Sequence, residues 1–137
     1  MGVRRKAREC ALQMLYQWDV TREDPRPLAA TYWEVRETPE EVRDFAERLF
    51  LGAISRLEGI DGRIGRHARN WRIDRMETID RNVLRLATAE LLLEPDTPPT
   101  VVLNEAIEIA RRFSTTGSAQ FINGILDSIL REVEEEQ

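Results

Sequence analysis

The sequence predicts an all-α fold, a compact helical bundle of about six or seven helices in two packed subbundles. Apolar residues recur at spacings of three and four along most of the 137-residue chain, and this is the periodicity of amphipathic helices. No stretch alternates apolar and polar residues for long enough to predict a strand, and the intervening segments are short. We therefore expect a single domain over residues 1–137, with a core supplied by the 42% of residues that are hydrophobic.

The N-terminal part of the chain predicts one long helix followed by a loop. An apolar stripe from Val3 to Trp18 predicts the first helix, which should end near residues 19–21. Pro25 interrupts the pattern after it, so only a short helical turn is expected around residues 28–33.

The second long helix has both a start signal and a stop signal. Thr38, Pro39 and Glu41 combine a hydroxyl N-cap, a proline at the first helical position and a capping-box glutamate. Gly59 is placed to end this helix, and apolar residues between positions 60 and 68 predict a shorter helix after it.

The C-terminal half predicts three further helices. Helical spacing over residues 79–91 is followed by a proline cluster and by helical spacing over residues 101–113. Ser118 is placed to cap the last helix, whose apolar face begins at Phe121. Gly124 lies inside this helix, where a glycine costs about 1 kcal/mol, so we expect a neighbouring helix to approach it closely.

Signals for catalysis, metals and cofactors are weak. Cys10 lies on the apolar stripe of the first helix, where a thiol is usually an inert hydrophobic group. Together with the single histidine, His67, it is too little for a zinc site. His67 and Trp71 belong to an arginine-rich stretch, residues 63–75, in which His67 is expected at the surface and Trp71 in the core. We expect no enzymatic activity, no cofactor and no metal.

Neither a membrane-spanning apolar run nor a secretory signal is present in the sequence. We therefore expect a cytoplasmic protein without a membrane partner. The net charge of −5 does not by itself favour nucleic acid, because binding to phosphates depends on local positive charge.

Positive charge is concentrated at the N-terminus. Arg4, Arg5, Lys6 and Arg8 lie within the first ten residues. Residues three or four apart share a helix face, so two or three of these side chains are placed to contact a phosphate backbone. The alternative interpretation is an ordinary solvated helix end.

Three segments resemble the NusB family in order and spacing, and together they cover close to half of the chain: RRKARECALQMLYQWD, IDRNVLRLATAELL and PPTVVLNEAIEIARRFSTTGSAQFINGILDSI. The resemblance implies an all-helical transcription antitermination factor. By the same resemblance it binds the boxA element of nascent RNA together with the NusE-type small-subunit ribosomal protein. Both belong to an RNA polymerase antitermination complex, notably on ribosomal RNA operons.

The resemblance also implies where boxA RNA binds: the first helix and the start of the last one, at Arg4, Arg5, Lys6, Arg8, Ser118, Gln120 and Phe121. An exposed Phe121 can stack on a base, and packing beside Ile125 is the alternative. Gly117 departs from the acidic residue common in the family, which puts an RNA contact there in doubt. Asn104 and Asn123 are expected to be buried and to satisfy backbone groups between helices.

Two further positions match the surface that the family uses for the ribosomal protein, Tyr16 and Asp80. Packing of Tyr16 against the first helix and pairing of Asp80 with Arg81 or Arg85 are the alternatives. The sequence leaves both a monomer and a homodimer open.

Two other functions remain open at this stage. One is a helical protein-interaction adaptor without RNA affinity, which the negative net charge favours. The other is an accessory RNA-binding domain for an RNA-modifying enzyme, which the short chain disfavours because no catalytic domain follows. The salt dependence of the affinity distinguishes RNA binding from an adaptor function, because binding through several arginines weakens steeply with added salt.

Overall fold

The computed structural model describes residues 2–137, and within them it contains α-helices and one short 3-10 helix but no strand. The helices are α1 (Val3–Thr21), α2 (Pro25–Glu34), α3 (Glu40–Ser55), α4 (Leu57–His67), α5 (Thr78–Leu93), α6 (Pro99–Phe113) and α7 (Ser118–Glu135). The 3-10 helix, Ile73–Arg75, precedes α5. The predicted all-α bundle is confirmed.

Helix α5 lies at the centre of the molecule. Helices α1, α2 and α3 pack on one another as a first subbundle, and α4, α6 and α7 pack with α5 as a second. Helix α5 also contacts α1 and α3, so it joins the two subbundles. Their buried side chains form one continuous core, with Phe45 and Leu84 among its fully buried members.

Helix α2 is longer than the predicted turn. It begins at Pro25, because the fixed φ of proline suits the first helical turn. The Asp24 carboxylate accepts a hydrogen bond from the backbone N–H of Arg26 at 3.1 Å, which satisfies one of the free N–H groups at the helix start. The proline predicted to interrupt the helical pattern thus marks the start of a helix.

The predicted boundaries around α3 and α4 are wrong. Pro39 flanks the start of α3 and no side chain caps it, so the predicted capping box of Thr38 does not form. The helix ends at Ser55, and α4 runs through Gly59. Ile60 and Ile64 of α4 are fully buried, and their burial outweighs the cost of the three glycines inside this helix.

The close helix approach predicted at Gly124 occurs at another glycine. A β-carbon added at Gly124 would meet no atom within 4 Å. A β-carbon added at Gly52 of α3 would lie 2.5 Å from Cδ1 of Leu93 on α5. Gly52 is therefore the position at which a missing side chain lets two helices approach.

A buried ionic network fastens the end of α1 to α5 and α4. The Asp19 carboxylate accepts hydrogen bonds from Arg81 Nε at 2.6 Å and Asn82 Nδ2 at 3.1 Å. Arg85 lies 3.2 Å from Asp19 and donates to both carboxylate oxygens of Asp61, at 2.8 and 2.9 Å. Burial opposes ionisation of Asp19, but the hydrogen bonds prevail and its pKa is lowered.

Candidate nucleic-acid interface

The basic residues at the start of α1 have different environments. The Arg8 side chain is only 7% exposed, and its Nε and Nη2 donate to the two carboxylate oxygens of Glu90 at 2.8 and 2.6 Å. Its Nη1 also donates to Glu105 at 3.3 Å. The prediction that Arg8 projects to solvent for RNA is therefore wrong, since its guanidinium is used inside the protein.

Arg5 lies at the surface and pairs with Glu105, the residue that also accepts a hydrogen bond from Arg8. Its Nε and Nη2 donate to Glu105 at 3.1 and 2.6 Å, while 43% of the side chain remains exposed. The hydrogen bond from Arg5 lowers the pKa of Glu105, and the hydrogen bond to Glu105 raises the pKa of Arg5. An anion that binds Arg5 must therefore compete with a carboxylate that is fully ionised at neutral pH.

Arg4 and Lys6 are the cations at this helix end that are exposed and make no ion pair within residues 2–137. The Arg4 guanidinium lies over the Phe45 ring, 3.9 Å from its centre, and this cation–π contact leaves its charge uncompensated. An open cleft of about 680 Å³ lies beside Arg4 and Arg5. The start of α1 therefore presents two positive charges without an acidic partner, those of Arg4 and Lys6. The third, that of Arg5, is paired with a carboxylate.

Helices α1 and α6 run in the same direction on the surface of α5, and side chains bridge the space between them. Arg5 of α1 pairs with Glu105 of α6, and Glu9 of α1 pairs with Arg112 near the end of α6. This row of paired side chains, which we call the α1–α6 seam, connects the start of α1 with the loop before α7.

The start of α7 is organised around a buried carboxylate. Asp80 accepts hydrogen bonds from the hydroxyls of Ser114 and Ser118, the latter at 2.9 Å. Asp80 and Ser118 are 7% and 6% exposed. Asp80, which was predicted to bind the partner, and Ser118, which was predicted to bind RNA, thus contact each other inside the fold. Asp80 does not pair with Arg81 or Arg85.

Gly117 explains why Ser118 is not the predicted cap. Ser118 is the first residue of α7, and Gly117 before it has a φ of 94°. An L-amino acid with a side chain rarely adopts this conformation, whereas glycine adopts it readily. The Ser118 hydroxyl is directed at Asp80 instead of at the helix N–H groups.

The accessible part of this region is formed by Gln120, Phe121 and Trp71. Gln120 is exposed and Phe121 is half-buried. Trp71 is 55% exposed, so the prediction that it belongs to the core is wrong. Its ring meets Phe121 edge to face, with 5.8 Å between ring centres and 77° between planes. Sequence reasoning had no signal for this pair, because its members are 50 positions apart.

Tyr16 lies on the outer face of α1, 43% exposed, and is available to a partner. Asn104 and Asn123 are exposed, so their predicted burial is wrong. His67 is half-buried with its Nε2 3.0 Å from Glu132. Cys10 is buried as predicted.

No helix within residues 2–137 is long and apolar enough to cross a membrane. Nor does that part of the chain bring three histidine, cysteine or acidic side chains together in a way that suits a metal ion.

The fold and these side chains define a class of small all-helical proteins that expose arginine, lysine and aromatic side chains. Such side chains suit single-stranded nucleic acid, because cations contact its phosphates and rings stack on its bases.

The chain belongs to the NusB family, whose sequence profile matches residues 5–131. It is 51% identical to the transcription antitermination protein NusB of Koribacter versatilis, over 99% of this chain and 94% of that protein. The structure superposes on NusB of T. maritima with a TM-score of 0.85 at 40% identity, covering 94% and 91% of the two chains.

A second solved structure contains antitermination factors NusB and NusE in complex with double-stranded RNA. The similarity to it has a TM-score of 0.87 at 29% identity and covers 96% of this chain and 98% of that one.

Proposed function

We propose that this chain is a cytoplasmic transcription antitermination factor that acts as a single domain and catalyses no reaction. It binds boxA RNA together with the NusE-type ribosomal protein in an RNA polymerase antitermination complex, notably on ribosomal RNA operons. The observation that carries the proposal is that the start of α1 exposes Arg4 and Lys6 without acidic partners, while Trp71 and Phe121 form an accessible aromatic pair at the start of α7. Family membership and the NusB–NusE–RNA complex support it.

The RNA-binding residues divide into those that contact RNA and those that hold the surface in place. Arg4 and Lys6 bind phosphates, and Arg5 joins them when an RNA phosphate displaces Glu105. At the other end, Gln120 donates or accepts hydrogen bonds and Phe121 stacks on a base.

Arg8 and Ser118 have a different role in this proposal. Arg8 fixes α1 on α5 through Glu90, and Ser118 fixes the start of α7 through Asp80. They position the residues that touch RNA without touching it themselves.

The length of the surface suits an extended single strand. Helix α6 has 15 residues, and at about 1.5 Å per residue it is about 22 Å long. The α1–α6 seam covers Glu105 to Arg112 of this helix, so a strand that contacts both ends of the seam must extend over about 10 Å. Partner binding involves the exposed Tyr16, and Asp80 contributes indirectly by holding the loop before α7.

The test is a titration of labelled boxA RNA and of a scrambled RNA of equal length, with the protein alone and with the NusE-type ribosomal protein, at two salt concentrations. We expect tighter binding of boxA RNA when the partner is present, and weaker binding at high salt because phosphate contacts release counterions. Equal affinity for both RNAs, with and without the partner, would contradict the proposal.

One observation favours a second function, a helical adaptor without RNA affinity. The net charge is −5, and Arg5, Arg8 and Arg112 all have carboxylate partners. An adaptor would bind the ribosomal protein with the same affinity whether or not RNA is added, so the same titration separates the two functions.

A further inference from the structure

Trp71 is unusual among the three tryptophans of the chain. Trp18 and Trp33 are buried, whereas 55% of Trp71 is exposed. It lies between α4 and the 3-10 helix, where its backbone N–H donates to the carbonyl of Ala68 at 2.9 Å. A large ring left in water forgoes the stabilisation that burial gives, so packing within the fold does not account for its position.

Trp71 and Phe121 form two walls of an open cleft of about 420 Å³, which also includes Met76 and the loop at Gly117. This volume lies within the range of about 300–1,000 Å³ that is usual for small-ligand sites. The edge-to-face contact with Phe121 covers at most one face of the Trp71 ring, and 55% of Trp71 is exposed. A flat aromatic group, such as a nucleobase, fits the shape and the chemistry of these walls.

The charges in the cleft indicate which part of a nucleotide can enter. Glu77, Asp80 and Arg75 line it. Asp80 already accepts hydrogen bonds from two serine hydroxyls, whereas Glu77 makes no side-chain hydrogen bond within the described residues. Two carboxylates repel a phosphate, but a free carboxylate accepts a hydrogen bond from the amino group of a base.

We propose that this Trp71–Phe121 cleft binds one unpaired base of a single-stranded RNA. The base stacks on Trp71, its amino group donates to Glu77, and its phosphate stays outside at Arg75. The inference rests on the proposed function and deepens it, because it adds a base-binding subsite beyond Gln120 and Phe121. Stacking tolerates every base, while Glu77 favours bases that carry an exocyclic amine.

The experiment combines protein variants with abasic RNA. Trp71→Ala, Trp71→Phe and the unmodified protein are titrated with a boxA RNA series in which a single nucleotide at a time lacks its base. Val35→Ala is the control, since Val35 is an exposed apolar residue just after α2 and has no part in the proposed binding surfaces. Circular dichroism melting curves check that each variant is folded.

We expect Trp71→Ala to weaken binding of intact RNA about 5- to 150-fold, the range for losing one stacked base, with an unchanged salt dependence. Trp71→Phe and Val35→Ala should bind nearly normally. At one RNA position, loss of the base should weaken the unmodified protein by a similar factor and should have no further effect on Trp71→Ala. This non-additivity is the signature of a direct contact.

Tryptophan fluorescence gives an independent readout. RNA should protect an accessible tryptophan from acrylamide quenching in the unmodified protein, and Trp71→Phe should abolish this protection while retaining affinity. The inference is overturned if no abasic position couples to Trp71. It is also overturned if Trp71→Ala weakens only binding of the ribosomal protein, because a partner side chain then occupies the cleft.

If the proposed function is wrong, the RNA titrations give a different result. It would appear as equal affinity of the unmodified protein for boxA and scrambled RNA, and the abasic series on the scrambled RNA would then still decide whether the cleft binds a base.

Discussion

At the scale of single residues, the basic side chains at the start of α1 differ in their partners. Arg8 neutralises Glu90, whose side chain is 3% exposed and which has no other ion-pair partner in the described chain. Lys6 is exposed and makes no ion pair there. Residues that appear equivalent in the sequence therefore have different environments, and we propose that Arg8 serves stability and Lys6 serves binding.

Substitution separates these roles. Arg8→Ala leaves a buried carboxylate without its partner, so we expect it to lower the free energy of unfolding by about 3 kcal/mol. Lys6→Ala should change stability by less than about 0.5 kcal/mol, weaken RNA binding, and reduce the slope of log affinity against log salt by about 0.7. Urea denaturation and RNA titration measure the two effects. A stable Arg8→Ala protein would contradict the assignment.

Glu132 is the carboxylic acid whose pKa departs most from its ordinary value. Hydrogen bonds from Arg66, His67 and Arg63, which outweigh partial burial, lower its pKa to about 2 from an ordinary value of 4.5. A carboxylate with a lowered pKa stabilises the folded state at pH values above its unfolded pKa, and this stabilisation is lost as the pH falls from about 4.5 to about 2.

Glu132→Gln should therefore lower the free energy of unfolding by about 2 kcal/mol at neutral pH, which is the usual size for hydrogen bonds to a charged group. The difference from the unmodified protein should shrink below pH 4.5 and vanish near pH 2. Urea denaturation across this range measures it. Glu134→Gln, on the same helix and without an ion pair in the described residues, should show no such trend.

At the scale of helices, periodicity predicts which segments are helical but not where each helix ends. The apolar spacing of α1, α5, α6 and α7 placed them correctly, because burial of one face decides whether a helix forms. The break between α3 and α4 falls at Arg56 instead of Gly59, since the buried face continues through the glycine. Tertiary packing therefore outweighs the local sequence signals that predict where a helix ends.

Gly52 and Gly124, which both lie inside helices, give a matched test of packing. Gly124→Ala should raise the free energy of unfolding by about 1 kcal/mol, the difference in helix propensity, because its β-carbon meets open space. Gly52→Ala gains the same propensity but forces Leu93 to move, and overpacking costs about 1–3 kcal/mol. Thermal or urea denaturation should therefore rank Gly52→Ala below Gly124→Ala. Equal gains would show that Leu93 adjusts at no cost.

At the scale of the whole molecule, the candidate site illustrates what a sequence can and cannot predict. Resemblance predicted the two regions of the chain that the α1–α6 seam connects. It did not distinguish exposed from buried members, because the partners of Arg8 and Ser118 are 82 and 38 positions away. Trp71 was misassigned for the same reason, since its neighbour Phe121 comes from a distant helix.

The molecule as a whole is acidic, so RNA binding depends on which cations remain uncompensated. Glu105 is the acid that matters most, because it pairs with Arg5 and also accepts a hydrogen bond from Arg8. Removing its charge would leave Arg5 free while Arg8 keeps its pair with Glu90. The start of α1 would then have three cations without an acidic partner: Arg4, Arg5 and Lys6.

Glu105→Gln should therefore bind boxA RNA several-fold more tightly than the unmodified protein, with a salt slope steeper by about 0.7 because one more phosphate is neutralised. Its stability should fall by at most about 1 kcal/mol, as is usual for partly exposed ion pairs. Glu108→Gln is the matched control, since Glu108 lies on the same helix and pairs only with the exposed Arg111. RNA titration at several salt concentrations measures both quantities. If Glu105→Gln and Glu108→Gln bind with the affinity of the unmodified protein, Arg5 is not a phosphate contact, and binding at the start of α1 depends on Arg4 and Lys6 alone.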